Sequence, residues 1–122
     1  MQATADLTQA IKFNPNNALA YYNRSVVYLD KGDYDRALAD LTQALKLDPN
    51  YAAAYSGRGL VYTGKNDDIR AVADFTQALK LDPNNALAKK GLETIRRHGA
   101  DTAGGWFVKT KKWFENIRRQ GR

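Results

Sequence analysis

ALAYYNRSVVYLDKGDYDRALADLTQALKLDPNY, residues 18–51, runs without a gap into AAAYSGRGLVYTGKNDDIRAVADFTQALKLDPNN, residues 52–85. Laid over one another, the two stretches are identical at 21 of 34 positions. The frame continues outward. ADLTQAIKFNPNN at 5–17 matches the end of a unit, and ALAKKGLETIRR at 86–97 matches the start of one. A fixed period of this length marks a structural repeat whose units cannot bury their apolar faces alone and must stack.

Each unit reads as two helices, the first from about Ala18 to Lys31 and the second from about Tyr34 to Leu47. Asn14-Pro15, Asp48-Pro49 and Asp82-Pro83 fall at the joints. A residue before proline is pushed out of the α region, which closes one helix. The Asp or Asn there is expected to cap the next helix, with proline in its first turn. Gly32 suits a left-handed turn inside the unit, and Asn66 holds its place in the following unit, Asn being next best for that conformation. Tyr21, Val27 and Tyr28 on one helix and Ala37, Leu41, Ala44 and Leu45 on the other recur at helical spacing. The small Ala37 and Ala44 allow close approach of helices, and the larger Leu41 and Phe75 fill the space between units. The expected fold is all-α, an α-solenoid of stacked antiparallel helix pairs.

The pattern Tyr-x2-Arg-Ser/Gly-x2-Tyr, then Ala-x3-Leu/Phe-x2-Ala-x4-Pro, at a 34-residue period resembles the tetratricopeptide repeat (TPR). The resemblance covers residues 1–99: a half repeat at 1–17, full repeats at 18–51 and 52–85, and a terminal helix at 86–98. Tyr21 and Tyr55 stand where the family often has Trp, and Arg24 and Arg58 where it often has Leu. An arginine between helices needs a partner. Asp40 and Asp74, at equivalent places on the following helix, are expected to form a structural ion pair with Arg24 and Arg58 in each unit.

Length and composition bound the rest. A chain of 122 residues fits one domain. It has no cysteine, which excludes disulfides and thiolate metal sites. Neither a signal peptide nor a membrane-spanning stretch is expected, so the chain reads as soluble with its compartment unassigned. The net charge of +6 is uneven: residues 1–85 hold 9 Lys/Arg against 10 Asp/Glu, and residues 100–122 hold 6 against 2. His98, the single histidine, is expected at a helix end beside terminal carbonyls and not as a base. Asp67-Asp68 lacks the spacing of a calcium loop. With no nucleophile–base pair and no metal set, neither catalysis nor a cofactor is expected.

The resemblance implies that the first helix of each unit lines a concave face for an extended peptide or partner helix. Carried over residue by residue, that groove comprises Tyr22, Asn23, Val26 and Leu29, then Ser56 and Leu60, then Lys90, Thr94 and Arg97. Small residues at 53, 57, 64 and 91 are expected to leave a notch floored by Leu60 and walled by Tyr22 and Val26. Asn23 matches one place where some family members clamp a C-terminal carboxylate, but Ala53 and Gly57 stand where the basic partners would be. The expected guest is a protein or peptide of acidic and apolar residues, and the chain a scaffold or adaptor.

Residues 100–105 read as a Gly-containing turn, and 106–119 as a basic amphipathic helix. Trp106, Phe107, Thr110, Trp113, Phe114 and Ile117 make one stripe. Four roles fit it: a cap over an open apolar face of the helix at 86–97, which is the expected role; insertion into another copy, giving a homo-oligomer; a membrane-surface helix; and, trailing these, nucleic-acid binding. The half repeat at the N-terminus, leaving Leu7 and its neighbours partly uncovered, also invites self-association.

Overall fold

The computed structural model describes residues 2–101, which form an α-helical solenoid. Its helices are α1 (Gln2–Phe13), α2 (Ala18–Asp30), α3 (Tyr34–Leu47), α4 (Ala52–Gly64), α5 (Asp68–Leu81) and α6 (Ala86–Asp101). Helices α2 and α3 make one complete unit and α4 and α5 the next, while α1 is a second helix and α6 a first helix. Each first helix lies beside the one of the next unit, α2 against α4 and α4 against α6.

Two local devices fold each pair. Gly32 (φ 76°) and Asn66 (φ 61°) both adopt the left-handed conformation after their helices. The Gly32 amide donates to the Leu29 carbonyl and the Asp33 amide to Tyr28, at 3.0 and 2.9 Å; Asn66 and Asp67 repeat this onto Thr63 and Tyr62. This doubly hydrogen-bonded turn satisfies the last carbonyls of the helix. Asp33 and Asp67 then cap the next helix by accepting from the Arg36 and Arg70 amides.

The joints between units differ from expectation. Asn14, Asp48 and Asp82 do not cap the following helices. Their side chains accept from the amides of Asn16, Asn50 and Asn84, two residues on, in Asx turns. The proline stays in the turn, and the caps are Asn17, accepting from Ala20, and Asn85, accepting from Ala88. α6 also runs on through Gly99 to Asp101, past the end expected at 98, so His98 lies within its last turn.

The core is two clusters, each formed where the second helix of a complete unit meets the first helix of the next. Ala37, Leu41, Ala44 and Leu45 of α3 pack with Ala54 and Val61 of α4. Ala71, Phe75 and Ala78 of α5 pack with Ala88, Leu92 and Ile95 of α6. α6 therefore buries Ala88, Leu92 and Ile95 against α5, while Leu87, Lys89, Lys90 and Arg97 are exposed. The cap that a C-terminal helix was expected to form over α6 involves residues outside the described ones. The segment 106–119 itself, with Trp106, Phe107, Thr110, Trp113, Phe114 and Ile117, lies outside the described residues. Among the described residues no helix is long and apolar enough to cross a membrane.

Candidate functional site

The first helices share a register that decides what they offer to a guest. On α2, residues at i, i+4, i+7 and i+11 are Leu19, Asn23, Val26 and Asp30, all exposed. Leu19 and Val26 are 56% and 40% exposed, high values for aliphatic side chains. The same register on α4 holds Ala53, Gly57, Leu60 and Gly64, with Leu60 half-buried. On α6 it begins with Leu87, 37% exposed, and continues to Gly91 and the exposed Thr94. Lys90 and Arg97 flank that stripe and are exposed. The side of the array formed by α2, α4 and α6 is thus apolar along α2 and α4, with Asp30 at one end and cations on α6.

At three of the four small residues of the expected notch, side chains of the protein itself lie close. A methyl group added at Gly57 would lie 3.2 Å from a Leu41 methyl and 3.7 Å from the Tyr22 ring. At Gly64 it would lie 2.6 Å from the Tyr34 ring, and at Gly91 it would overlap the Phe75 ring. The small residues therefore receive side chains of the protein itself. Ser56 is likewise buried, its hydroxyl donating to the Ala53 carbonyl at 3.0 Å and accepting from the Asn85 side chain. It offers nothing to a guest. Of the two expected walls Tyr22 is half-buried and Val26 exposed, and Leu29 is half-buried.

One residue of this surface escaped the sequence reading. Tyr51 stands where the neighbouring units have the capping residues Asn17 and Asn85, and it makes no side-chain cap. Its ring instead packs on Tyr22, centroids 5.3 Å apart at 34°, an arrangement favourable between aromatic rings. Burial, with smaller contributions from Tyr22 and Asp48, pushes the Tyr51 hydroxyl above the ordinary tyrosine range. The signal available in the sequence was the break in the Asn-x-Asn ladder at 17, 51 and 85.

The polar residues repeated in each complete unit, Arg24 and Asp40, then Arg58 and Asp74, face inward. Arg24 donates through Nε and Nη2 to the two carboxylate oxygens of Asp40, at 2.8 and 2.7 Å. Arg58 does the same to Asp74, at 2.8 and 2.9 Å. Both aspartates are buried, and each guanidinium sits near tyrosine rings, Arg24 by Tyr21 and Tyr28 and Arg58 by Tyr55. The hydrogen bond to the carboxylate outweighs burial and raises both arginine pKa values. Arg24 also donates to Thr8 on α1 at 3.2 Å, tying the half repeat to the first full one. These bidentate pairs are structural chemistry, not reactive chemistry. Among the described residues no group of three or more His, Cys, Asp or Glu is placed to hold a metal.

Comparisons with known proteins agree with this architecture. Family models described as tetratricopeptide repeat match residues 7–39 and 52–85, and one described as TPR repeat matches 26–66. No curated protein matches the chain. Among solved structures, the TPR domain of Arabidopsis OM64 is 34% identical with a TM-score of 0.76, covering 79% of each chain. The second TPR domain of human RPAP3, in complex with the HSP70 peptide SGPTIEEVD, is 34% identical with a TM-score of 0.72, covering 76% of this chain and 78% of that one. The first TPR of Spaghetti (RPAP3), bound to the HSP90 peptide SRMEEVD, is 27% identical with a TM-score of 0.75, covering 78% and 75%.

Proposed function

This chain belongs to the tetratricopeptide-repeat family, and from that premise we propose that it is a non-catalytic scaffold holding a peptide of acidic and apolar residues across α2, α4 and α6. One observation carries the reading. Of the five large apolar residues exposed among the described ones, three (Leu19, Val26 and Leu87) lie in a single register of the first helices. Clustered exposed apolar residues mark an interaction surface, whereas scattered ones need no explanation. Lys90 and Arg97 set the polarity. Acidic residues of the guest lie over α6 and its apolar side chains over Val26, Leu60 and Leu19, with Asn23 free to bond its backbone. The peptides held by the two RPAP3 domains also combine adjacent glutamates with apolar residues, which supports the guest's chemistry.

Fluorescence anisotropy with labelled SGPTIEEVD as the probe tests this. The chain is expected to bind it, and Val26→Glu with Leu60→Glu is expected to weaken binding at least about tenfold, as loss of buried apolar contacts does. Lys90→Glu with Arg97→Glu is expected to do the same. Retention of full affinity by both double variants overturns the proposal.

A further inference from the structure

We propose that residues 106–119 of one molecule complete the half repeat at α1 of a second molecule, so that the chain assembles head to tail. This stands apart from the peptide reading and uses a different surface. α1 carries the residues of a second helix, and among the described residues no first helix covers them as α2 and α4 do in the complete units. Ala3, Leu7 and Ala10 stand at the places of Ala37, Leu41 and Ala44 and of Ala71, Phe75 and Ala78, all of which are fully buried. In α1, Ala3 is exposed, Leu7 and Ala10 are half-exposed, and Phe13 at its end is 82% exposed. Asp6 stands at the place of Asp40 and Asp74. Those two are buried against Arg24 and Arg58, while Asp6 is exposed and has no such cation among the described residues.

The chain's own C-terminal segment carries what this face lacks. WFVKTKKWFE, residues 106–115, aligns with YYNRSVVYLD, residues 21–30. Aromatic matches aromatic at 106, 107 and 113, Lys109 replaces Arg24, Thr110 replaces Ser25, Phe114 replaces Leu29 and Glu115 replaces Asp30. The departure at Lys112 fits as well. It stands at the place of Val61 and Ile95, which pack on the second helix of the preceding unit. A first helix with no second helix packed on that side leaves this position to solvent, where a cation is well placed. α6, the other unpaired first helix, fits α1 poorly: Leu92 stands at the arginine place and Lys89 at the tyrosine place.

The pairing has to cross between molecules. Residues 102–105 separate α6 from Trp106, a reach of at most roughly 18 Å in extended chain. From α6 across α4 and α2 to the open side of α1 is roughly 30 Å or more at 8–10 Å per helix. In the assembled unit Trp106 and Trp113 cover Ala3, Leu7 and Ala10, and Lys109 donates to the Asp6 carboxylate. The contact joins two different faces, so it propagates as a ring or a filament.

Sedimentation velocity of the full chain over a concentration series tests this. The expected result is concentration-dependent association, weakened at least about tenfold by Asp6→Lys or by Lys109→Asp, as removal of a charge-assisted bond does. Both exchanges in one chain restore it. Asp6 is exposed, so its replacement leaves the array folded, which circular dichroism checks. Carbodiimide coupling is expected to join Lys109 to Asp6 within the cross-linked dimer. A concentration-independent monomer overturns the proposal. So does a Lys109–Asp6 link at monomer mass, or association that Asp6→Lys leaves unchanged.

Discussion

Phe75 lies against the bare Cα of Gly59: a methyl group added there would sit 2.6 Å from ring atom Cε1. In the preceding unit the corresponding pair is Leu41 and Ser25, the serine buried with its hydroxyl on the Tyr22 carbonyl. The larger side chain on one helix is thus matched by the smaller on its neighbour. Gly59→Ala is expected to destabilise the array by about 1–3 kcal/mol through overpacking. Adding Phe75→Leu is expected to recover part of that loss. Urea denaturation checks both, with the midpoint moving and the slope unchanged.

The Arg58–Asp74 pair is more buried than exposed and bonded in two places. Asp74→Ala is expected to cost about 1.5–3 kcal/mol, because the guanidinium loses its charged acceptor. In a double-mutant cycle with Arg58→Met, a coupling of about 1 kcal/mol or more is expected. Independent, additive effects would mean the contact contributes no net stability.

Asn66 holds a left-handed conformation that costs a non-glycine residue free energy. Asn66→Gly is therefore expected to be neutral or to stabilise by up to about 1 kcal/mol. Asn66→Val, branched at Cβ, is expected to destabilise by about 1–2 kcal/mol. Thermal unfolding of the three proteins ranks them.

Burial raises the Tyr51 pKa in the folded chain. A group whose folded pKa lies above its unfolded value contributes stability that is fully present below the unfolded pKa. That contribution is lost as pH rises through the folded one. Tyr51 therefore weakens the fold only above the ordinary tyrosine pKa of about 10. A Tyr51→Phe variant is expected to lose this alkaline component of the stability profile, measured by urea denaturation between pH 8 and 11.

The α4 register of the proposed guest-binding side, Ala53 to Gly64, supplies no cation, and the cations of that side are on α6. A terminal carboxylate over α4 thus finds no charged partner. Amidating the C-terminus of the probe peptide is expected to change its affinity by less than about threefold. Replacing its two glutamates with glutamine is expected to weaken it at least about tenfold. The reverse order would place the anion site on the wrong helix.

Much of this was legible in the sequence because it is local or periodic. The helix pairs follow from the 34-residue repeat, the left-handed turns from Gly32 and Asn66, and the ion pairs from an arginine and an aspartate held sixteen residues apart in both units. What the sequence hid depends on how closely helices approach. Gly64 and Gly91 looked like floor space for a guest, yet Tyr34 and Phe75 occupy it. Ser56 looked exposed because it shares a register with Tyr22 and Lys90, but the Asn85 side chain closes over it. The last helix was expected to end at residue 98, before Gly99, yet it runs on to Asp101. A glycine permits a left-handed turn without imposing one, and no proline follows to end the helix.

Each complete unit neutralises its own buried aspartate, and α6 carries Leu92 at the place of the guanidinium that would otherwise want a carboxylate. Copying or excising a whole block of 34 codons therefore leaves no orphan charge at either splice. Arrays of this sequence type can grow or shrink in evolution one block at a time, with electrostatics setting no limit on their length.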